Sequence, residues 1–208
     1  MARSYRCRVN HSTGQVGAEA PGRVLIGRDR IAARIAELGA AITADLEAEA
    51  AALRSRGEAP GPLVLVPVLT GALVFVADLI RHMPVTMSIK PVTLSSYPGT
   101  AKASVGVTVQ SGVPTDVKGA RVLIIDDILD SGQTLGLLRR MVQAQHPQSV
   151  RIAVLLNKHK NAGRVEEVAV EYAGFDIADE FVIGYGLDYD GRYRNLPDVM
   201  VLQGPPSA

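Results

Sequence analysis

Cysteine is almost absent. Cys7 is the only one in 208 residues, so no disulfide forms within the chain, which fits a reducing compartment and makes the cytoplasm the simplest assignment. Long apolar runs are missing too: none approaches the roughly 18 residues of a membrane span, and the opening MARSYRCRVN lacks the apolar core of a secretory signal. The expectation is a soluble, unprocessed protein with no membrane partner. Excess charge of one sign is also lacking, because 22 basic and 21 acidic residues leave a formal charge of +1 and no global pull toward nucleic acid or lipid. His11, His82, His146 and His159 are scattered, with no HExxH and no cysteine partners, which excludes a histidine-built metal centre. Neither GxGxxG nor the GxxxxGKS/T of a P-loop occurs, which argues against those two nucleotide sites.

What is present is the composition of a folded protein, 47% hydrophobic and 21% charged, in a length that suits one sizeable core. Residues 1–20 mix Gly, Ser, Thr and Asn without periodicity and read as a flexible arm, leaving one domain over 21–204. From Asp29 to Arg56 the residues Ile31, Ile35, Leu38, Ile42, Leu46 and Leu53 recur at helical spacing, which predicts an alanine-rich amphipathic helix. LVLVPVL (63–69), RVLIIDD (121–127) and VRIAVLLNK (150–158) are apolar on both faces, as in parallel strands covered by helices on each side. GALVFVADLIRHM follows the first as a helix and SGQTLGLLRRMVQAQHP the second, so the fold class is α/β with right-handed crossovers. Pro91 in VTMSIKPVTLSSY predicts an edge or irregularity, and the Gly-rich stretch 99–119 a hairpin excursion, a lid, or both. Short strands and turns fill the chain after 177.

The chemistry concentrates in RVLIIDDILDSGQT, Arg121 to Thr134, where an apolar run ends in Asp126 and Asp127 with Asp130 close behind. In an open α/β sheet, ligands bind beyond the carboxyl ends of the strands, which is where this segment passes from strand to helix. Ser131, Gly132, Gln133 and Thr134 would present amides and hydroxyls at the positive end of the helix dipole, a cradle for phosphate, with Gly132 allowing close backbone approach. Aspartates repel phosphate. The ligand must therefore join an anion to something that carboxylates favour, and a sugar monophosphate does so, its hydroxyls and a bound Mg²⁺ facing Asp126 and Asp127. Taken singly, each residue reads equally well as a helix cap or a solvated strand end. Together they are far more specific.

VLIIDDILDSGQT resembles the phosphoribosyl pyrophosphate (PRPP) motif of type I phosphoribosyltransferases, while LTG, SSYPGT, LLNKHK and DEFVIGYGLDYDGRYRNLPDV fall in the order and spacing of the hypoxanthine-guanine branch, from Val24 to Leu202. The resemblance implies that family's fold: a central, mostly parallel sheet flanked by helices, with a small hood subdomain built from the C-terminal strands and the N-terminal segment. It implies purine salvage by Mg²⁺-dependent transfer of a 5-phosphoribosyl group from PRPP to N9 of hypoxanthine or guanine. By the same resemblance the 5-phosphate binds the backbone from Asp130 to Thr134, Asp126 and Asp127 face the ribose partly through Mg²⁺, and Asp130 is the acid/base near purine N7. Lys158 would donate to the 6-oxo group, Phe181 stack on the base and Val182 meet its edge through the backbone. Asp188 belongs with these base-side residues and would hold a second Mg²⁺, and Arg194 would bind pyrophosphate.

Leu69, Thr70 and Gly71 match the pyrophosphate loop, in which relatives often have a cis peptide, and Ser95, Ser96 and Tyr97 begin the lid. Many relatives carry lysine where this chain has Thr70, so a charged contact is lost, and Pro98 should stiffen the start of the lid. The family implies a homodimer or homotetramer. Two rivals stand beside this reading. One is a preference for xanthine or another 6-oxopurine, which one sequence does not rank. The other is an RNA-binding regulator on the same fold, which would want a basic face that the balanced charge does not supply.

Overall fold

The computed structural model describes residues 22–96, 107–111, 114–161 and 163–203, so the arm over 1–20, Tyr97 and Pro98 lie outside the described residues. The apolar runs form the centre of one large sheet: β2 (Leu63–Leu69), β6 (Arg121–Leu129) and β7 (Ser149–Lys158) lie side by side in parallel. On one flank β8 (Tyr172–Ile177) pairs parallel with β7. On the other, the stretch around Pro91 is broken in two, as its proline leads one to expect. β3 (Met87–Ile89) pairs with the start of β2, while β4 (Val92–Ser96) pairs with its end. β5 (Val107–Ser111) then returns antiparallel to β4, giving the order β5-β4-β2-β6-β7-β8 with β3 also on β2. The excursion predicted over 99–119 thus contains β5, the second arm of a hairpin that begins in β4.

Helices cover both faces. α1 (Arg28–Ser55) buries the predicted stripe of Ile31, Ile35, Leu38, Ile42, Leu46 and Leu53. It also shields the open edge of the sheet, because Arg34 donates from Nε to the Gly174 carbonyl at 2.8 Å and from Nη2 to the Ala173 carbonyl at 3.0 Å, groups that an edge strand would otherwise expose. α2 (Leu73–Leu79) runs into a 3-10 turn at Ile80–His82, and α3 is Gln133–Gln143. Both are shorter than their periodicity suggests. At α3 the cause is local: Gly132 is left-handed (φ 84°) before it, and His146 is left-handed (φ 56°) ahead of Pro147 behind it.

β6 departs from expectation in a way that matters. It continues past Asp127 to Leu129, because Ile128 and Leu129 stay in register with Leu156 and Asn157 of β7. On its other side the ladder with β2 ends at Pro67–Ile125, after which Val68 and Leu69 pair with β4 instead. The end of β6 thus keeps one neighbour and loses the other, and a cleft opens where β2 turns away.

A second sheet is made from the two ends of the chain. β1 (Gly22–Ile26) pairs antiparallel with β10 (Val199–Leu202), which pairs with β9 (Val182–Ile183). This is the hood expected from the chain ends. Gly27 gives α1 no side-chain cap, and the carboxylate of Asp198 replaces one. Its Oδ1 accepts the Arg28 N–H at 2.8 Å and its Oδ2 the Arg28 guanidinium at 2.8 Å, across 170 residues of sequence. An ion pair between Arg23 and Glu180 adds a second tie. Among the described residues no helix is long and apolar enough to cross a membrane.

The Arg28 contacts hold Asp198 below the ordinary carboxylate value of 3.8, so its stabilisation is present above that pH and is lost as the pH falls through the depressed native value. Asp198→Ala should therefore lower the melting temperature at pH 7, with the gap from the parent protein closing toward pH 3. A gap independent of pH in a calorimetric series would contradict this.

Candidate active site

The cleft at the end of β6 has a volume of about 300 Å³, and its floor is the acidic stretch the sequence singles out. Asp126, Asp127 and Asp130 line it together with Ser131, Gly132 and Thr134, and Leu69 and Gly71 form the facing wall. Asp188 and Arg194 enter from the hood side. A second, smaller cleft adjoins it, lined by Lys158, Phe181 and Val182 and sharing Asp127, Asp130 and Asp188 with the first. The structure thus brings the predicted phosphate, ribose and base residues to one place. Thr70 and Gln133 line neither cleft. Ser95 and Ser96 fall in β4, and their side chains, like all of Tyr97, lie outside what is described.

The loop from Asp130 to Gly132 lines the cleft where β6 hands over to α3. Gly132 is the residue before α3 and offers no side-chain cap, so neither Asp130 nor Ser131 takes the cap position that the plainer reading of the sequence allowed. The Ser131 hydroxyl accepts the Gln133 amide at a long 3.4 Å, so the first turn of α3 is weakly capped beside the cleft. The loop's shape is set from behind by a segment that no sequence pattern announces. The Glu166 amide donates to the Ser131 carbonyl at 3.0 Å, and a Cβ on Gly132 would fall 1.8 Å from the Glu166 carbonyl oxygen. An ion pair between Arg140 and Glu166 holds that segment to α3.

Asp126 is buried, and its Oδ1 accepts the Asp127 amide at 2.9 Å. Burial pushes its carboxyl well above the ordinary range, and the neighbouring Asp127 charge pushes the same way. Asp127 is raised as well, by burial, against the opposing pull of Asp126, backbone amides and Arg194. The two acids titrate as a pair, both displaced above the usual carboxylate range. Nothing but backbone separates Asp127 from the hood: a Cβ on Gly71 would fall 1.9 Å from Asp127 Oδ2, and one on Gly186 would fall 2.2 Å from the Gly71 carbonyl oxygen. The Leu69–Thr70 bond ahead of Gly71 is cis, as the resemblance implied.

Asp188 has both of its oxygens engaged. Oδ1 pairs with Arg194 at 2.7 Å and Oδ2 accepts the Gly191 amide at 2.8 Å, so it is a turn residue and a cleft residue at once. Arg194 also donates to the Gly186 carbonyl at 2.6 Å. Phe181 is 53% exposed and stands nearly perpendicular to Tyr189, with ring centroids 5.6 Å apart, so much of its ring is accessible to a planar ligand. Asp130 carries two lysines: Lys158 at 3.6 Å, predicted, and Lys160 at 2.7 Å, which sequence reasoning passed over. The available signal is the spacing, a second lysine two residues past Lys158, where β7 ends. His159 between them turns the other way, to Asp176 at 3.0 Å.

Among the described residues no group of three or more His, Cys, Asp or Glu is arranged to hold a metal. The shielded Asp126–Asp127 pair instead suits a hard cation that takes one or two carboxylates from protein and its other oxygens from substrate and water.

Residues 38–190 match the family model for the phosphoribosyl transferase domain. The chain is similar to a hypoxanthine-guanine phosphoribosyltransferase of Mycobacterium avium, 42% identical over 173 residues, which is 83% of this chain and 81% of that protein. Its structure is similar to a hypoxanthine phosphoribosyltransferase of Staphylococcus aureus, with a TM-score of 0.74 and 35% identity over 87% of this chain and 91% of that one. A Trypanosoma cruzi hypoxanthine phosphoribosyltransferase carrying a lysine-to-arginine change, complexed with the product IMP, gives a TM-score of 0.74 at 33% identity over 89% and 93% of the two chains.

A carboxyl raised above its unfolded value stabilises the fold while protonated and loses that contribution as the pH rises through its native value. Asn at position 126 would keep the acceptor for the Asp127 amide and stay neutral at every pH. Without substrate or metal, Asp126→Asn should raise the melting temperature by a few degrees, more at pH 8 than at pH 5. An equal or smaller gain at pH 8 would show that the parent carboxyl ionises without cost.

Proposed function

The chain belongs to the phosphoribosyl transferase family, and from that premise we propose that it is a purine-salvage enzyme, transferring the 5-phosphoribosyl group of PRPP to N9 of hypoxanthine or guanine and releasing pyrophosphate. One observation carries the reading: an anion seat and a base-sized slot meet along a shared wall of Asp127, Asp130 and Asp188. A sugar phosphate on the loop from Asp130 to Gly132 would present its reacting carbon to a base lying against Phe181.

Each group then has work that suits its chemistry. The amides after Asp130 hold the 5-phosphate, Arg194 and the backbone around Gly71 take the pyrophosphate, and Asp126 and Asp127 face the ribose hydroxyls. Mg²⁺ held at Asp126 and Asp127, with a second ion at Asp188, would neutralise pyrophosphate as it leaves. Asp188 keeps a lone pair on each oxygen beside its existing partners. Positive charge spreads over the ribose as its bond to pyrophosphate stretches, and the acids beneath favour that state. Asp130 takes the base's proton at N7 while N9 bonds to the sugar. The Lys158 ammonium donates to a 6-oxo oxygen and has nothing to accept from the amino group of adenine, which sets the substrate class. Stacking on Phe181 adds roughly 1–3 kcal/mol. The strands β4 and β5 carry the lid segment that would exclude water from the activated sugar. By the same reading the enzyme works in the cytoplasm as a homodimer or homotetramer and binds no nucleic acid.

A spectrophotometric assay with PRPP, Mg²⁺ and each of four bases tests this. Hypoxanthine and guanine should turn over and adenine should not, while turnover confined to xanthine would reassign the base. Asp130→Asn should cut turnover by roughly a hundredfold or more with PRPP binding retained, and unchanged turnover would remove Asp130 from the acid/base role.

A further inference from the structure

The lysine that the base is to meet is not idle before the base arrives. Lys158 is 9% exposed, and its ammonium is 3.6 Å from Asp130 Oδ1, so the same carboxylate is asked to balance a buried cation and to receive a proton from the substrate. Its main chain is fixed, since the Lys158 carbonyl accepts Arg164 Nη2 at 2.8 Å. Only the side chain has freedom to move between carboxylate and ligand. Lys160, on the same face two residues on, reaches the same oxygen at 2.7 Å and touches Asp179 at 3.7 Å. Its ammonium is held above its ordinary value, chiefly by the bond to Asp130. Lys160 does not line the base slot, whereas Lys158 does.

Two ammoniums and two carboxylates make a neutral set in which Asp130 is shared by both cations and Asp179 meets Lys160. At equal dielectric the shorter contact makes the pull of Lys160 on Asp130 roughly a third stronger than that of Lys158. We propose that Lys160 is a positioning residue that acts as the resident counter-ion of Asp130, freeing the Lys158 ammonium for the 6-oxo oxygen of the base. In its absence Asp130 draws Lys158 onto itself, and the base must break that pair before it can bind. The inference rests on the base-binding role given to Lys158 above, and it concerns affinity for the base, because Lys160 lines neither cleft and meets the site through the Asp130 carboxylate.

Steady-state kinetics of the full chain, with hypoxanthine and PRPP varied in turn, test the proposal in Lys160→Gln, Lys160→Arg, Lys158→Gln and the double variant. Lys160→Gln should raise KM for hypoxanthine on the order of tenfold, with KM for PRPP and the melting temperature close to the parent values. Lys160→Arg should restore most of the loss, and the double variant should bind base no worse than Lys158→Gln alone, since there is then no ammonium left to release. An unchanged KM for hypoxanthine in Lys160→Gln would overturn the proposal. A parallel rise in both KM values, or additive losses in the double variant, would do the same by making Lys160 an ordinary structural tie. The parent enzyme separates the two levels: failure to turn over any 6-oxopurine sinks the functional reading itself, whereas normal parent turnover with a silent Lys160→Gln sinks only this inference.

Discussion

Two adjacent carboxylates at the end of a buried strand are the constraint around which the rest is arranged. Water solvates an exposed aspartate cheaply; Asp126 and Asp127 are denied that, and they hold a proton above the usual range in consequence. The fold keeps them there by holding β6 in register with β7 after β2 has turned away at Pro67. It encloses them with glycine backbone, since Gly71 abuts Asp127 and Gly186 abuts Gly71, with no room for a side chain at either contact. An apolar ligand would leave that charge unanswered, and a polyhydroxylated sugar with a hard cation would answer it.

Around this acidic floor the positive groups are sorted by kind. Backbone amides at the start of α3 suit a phosphate ester, because they carry no net charge to compete with the aspartates. A guanidinium, Arg194, offers a planar fork of donors at the cleft wall, and it is tied to Asp188 and the Gly186 carbonyl. The ammoniums of Lys158 and Lys160 both meet Asp130.

Much of this was legible in the sequence, and the misses have physical causes. The apolar runs of β2, β6 and β7 and the stripe along α1 were plain because burial on both faces of a strand, or on one face of a helix, leaves a periodic trace. The aspartates and the small-residue loop were plain because their composition contradicts their neighbours. The extension of β6 to Leu129 was hidden, since pairing with β7 overrides the local preference of two aspartates to end a strand. Glu166 was hidden because its work is done by main-chain atoms, which carry no residue signature. Asp198 was hidden because a cap supplied from 170 residues away has no local pattern. Lys160 leaves a fainter trace, a second cation two residues past Lys158 and just beyond the end of β7.

The hood has a kinetic meaning as well as a structural one. Gly22 pairs with Leu202, so joining β1 to β10 closes a loop that spans nearly the whole described chain, whereas the core pairs β2 with β6 and β6 with β7 over far shorter separations. Contacts of such high order are found late on a folding route. The central sheet can be complete while the cleft still lacks Asp188 and Arg194, which arrive with the hood. A circularly permuted chain that links residue 203 to residue 22 by a short turn would convert this slowest search into the closing of a hairpin.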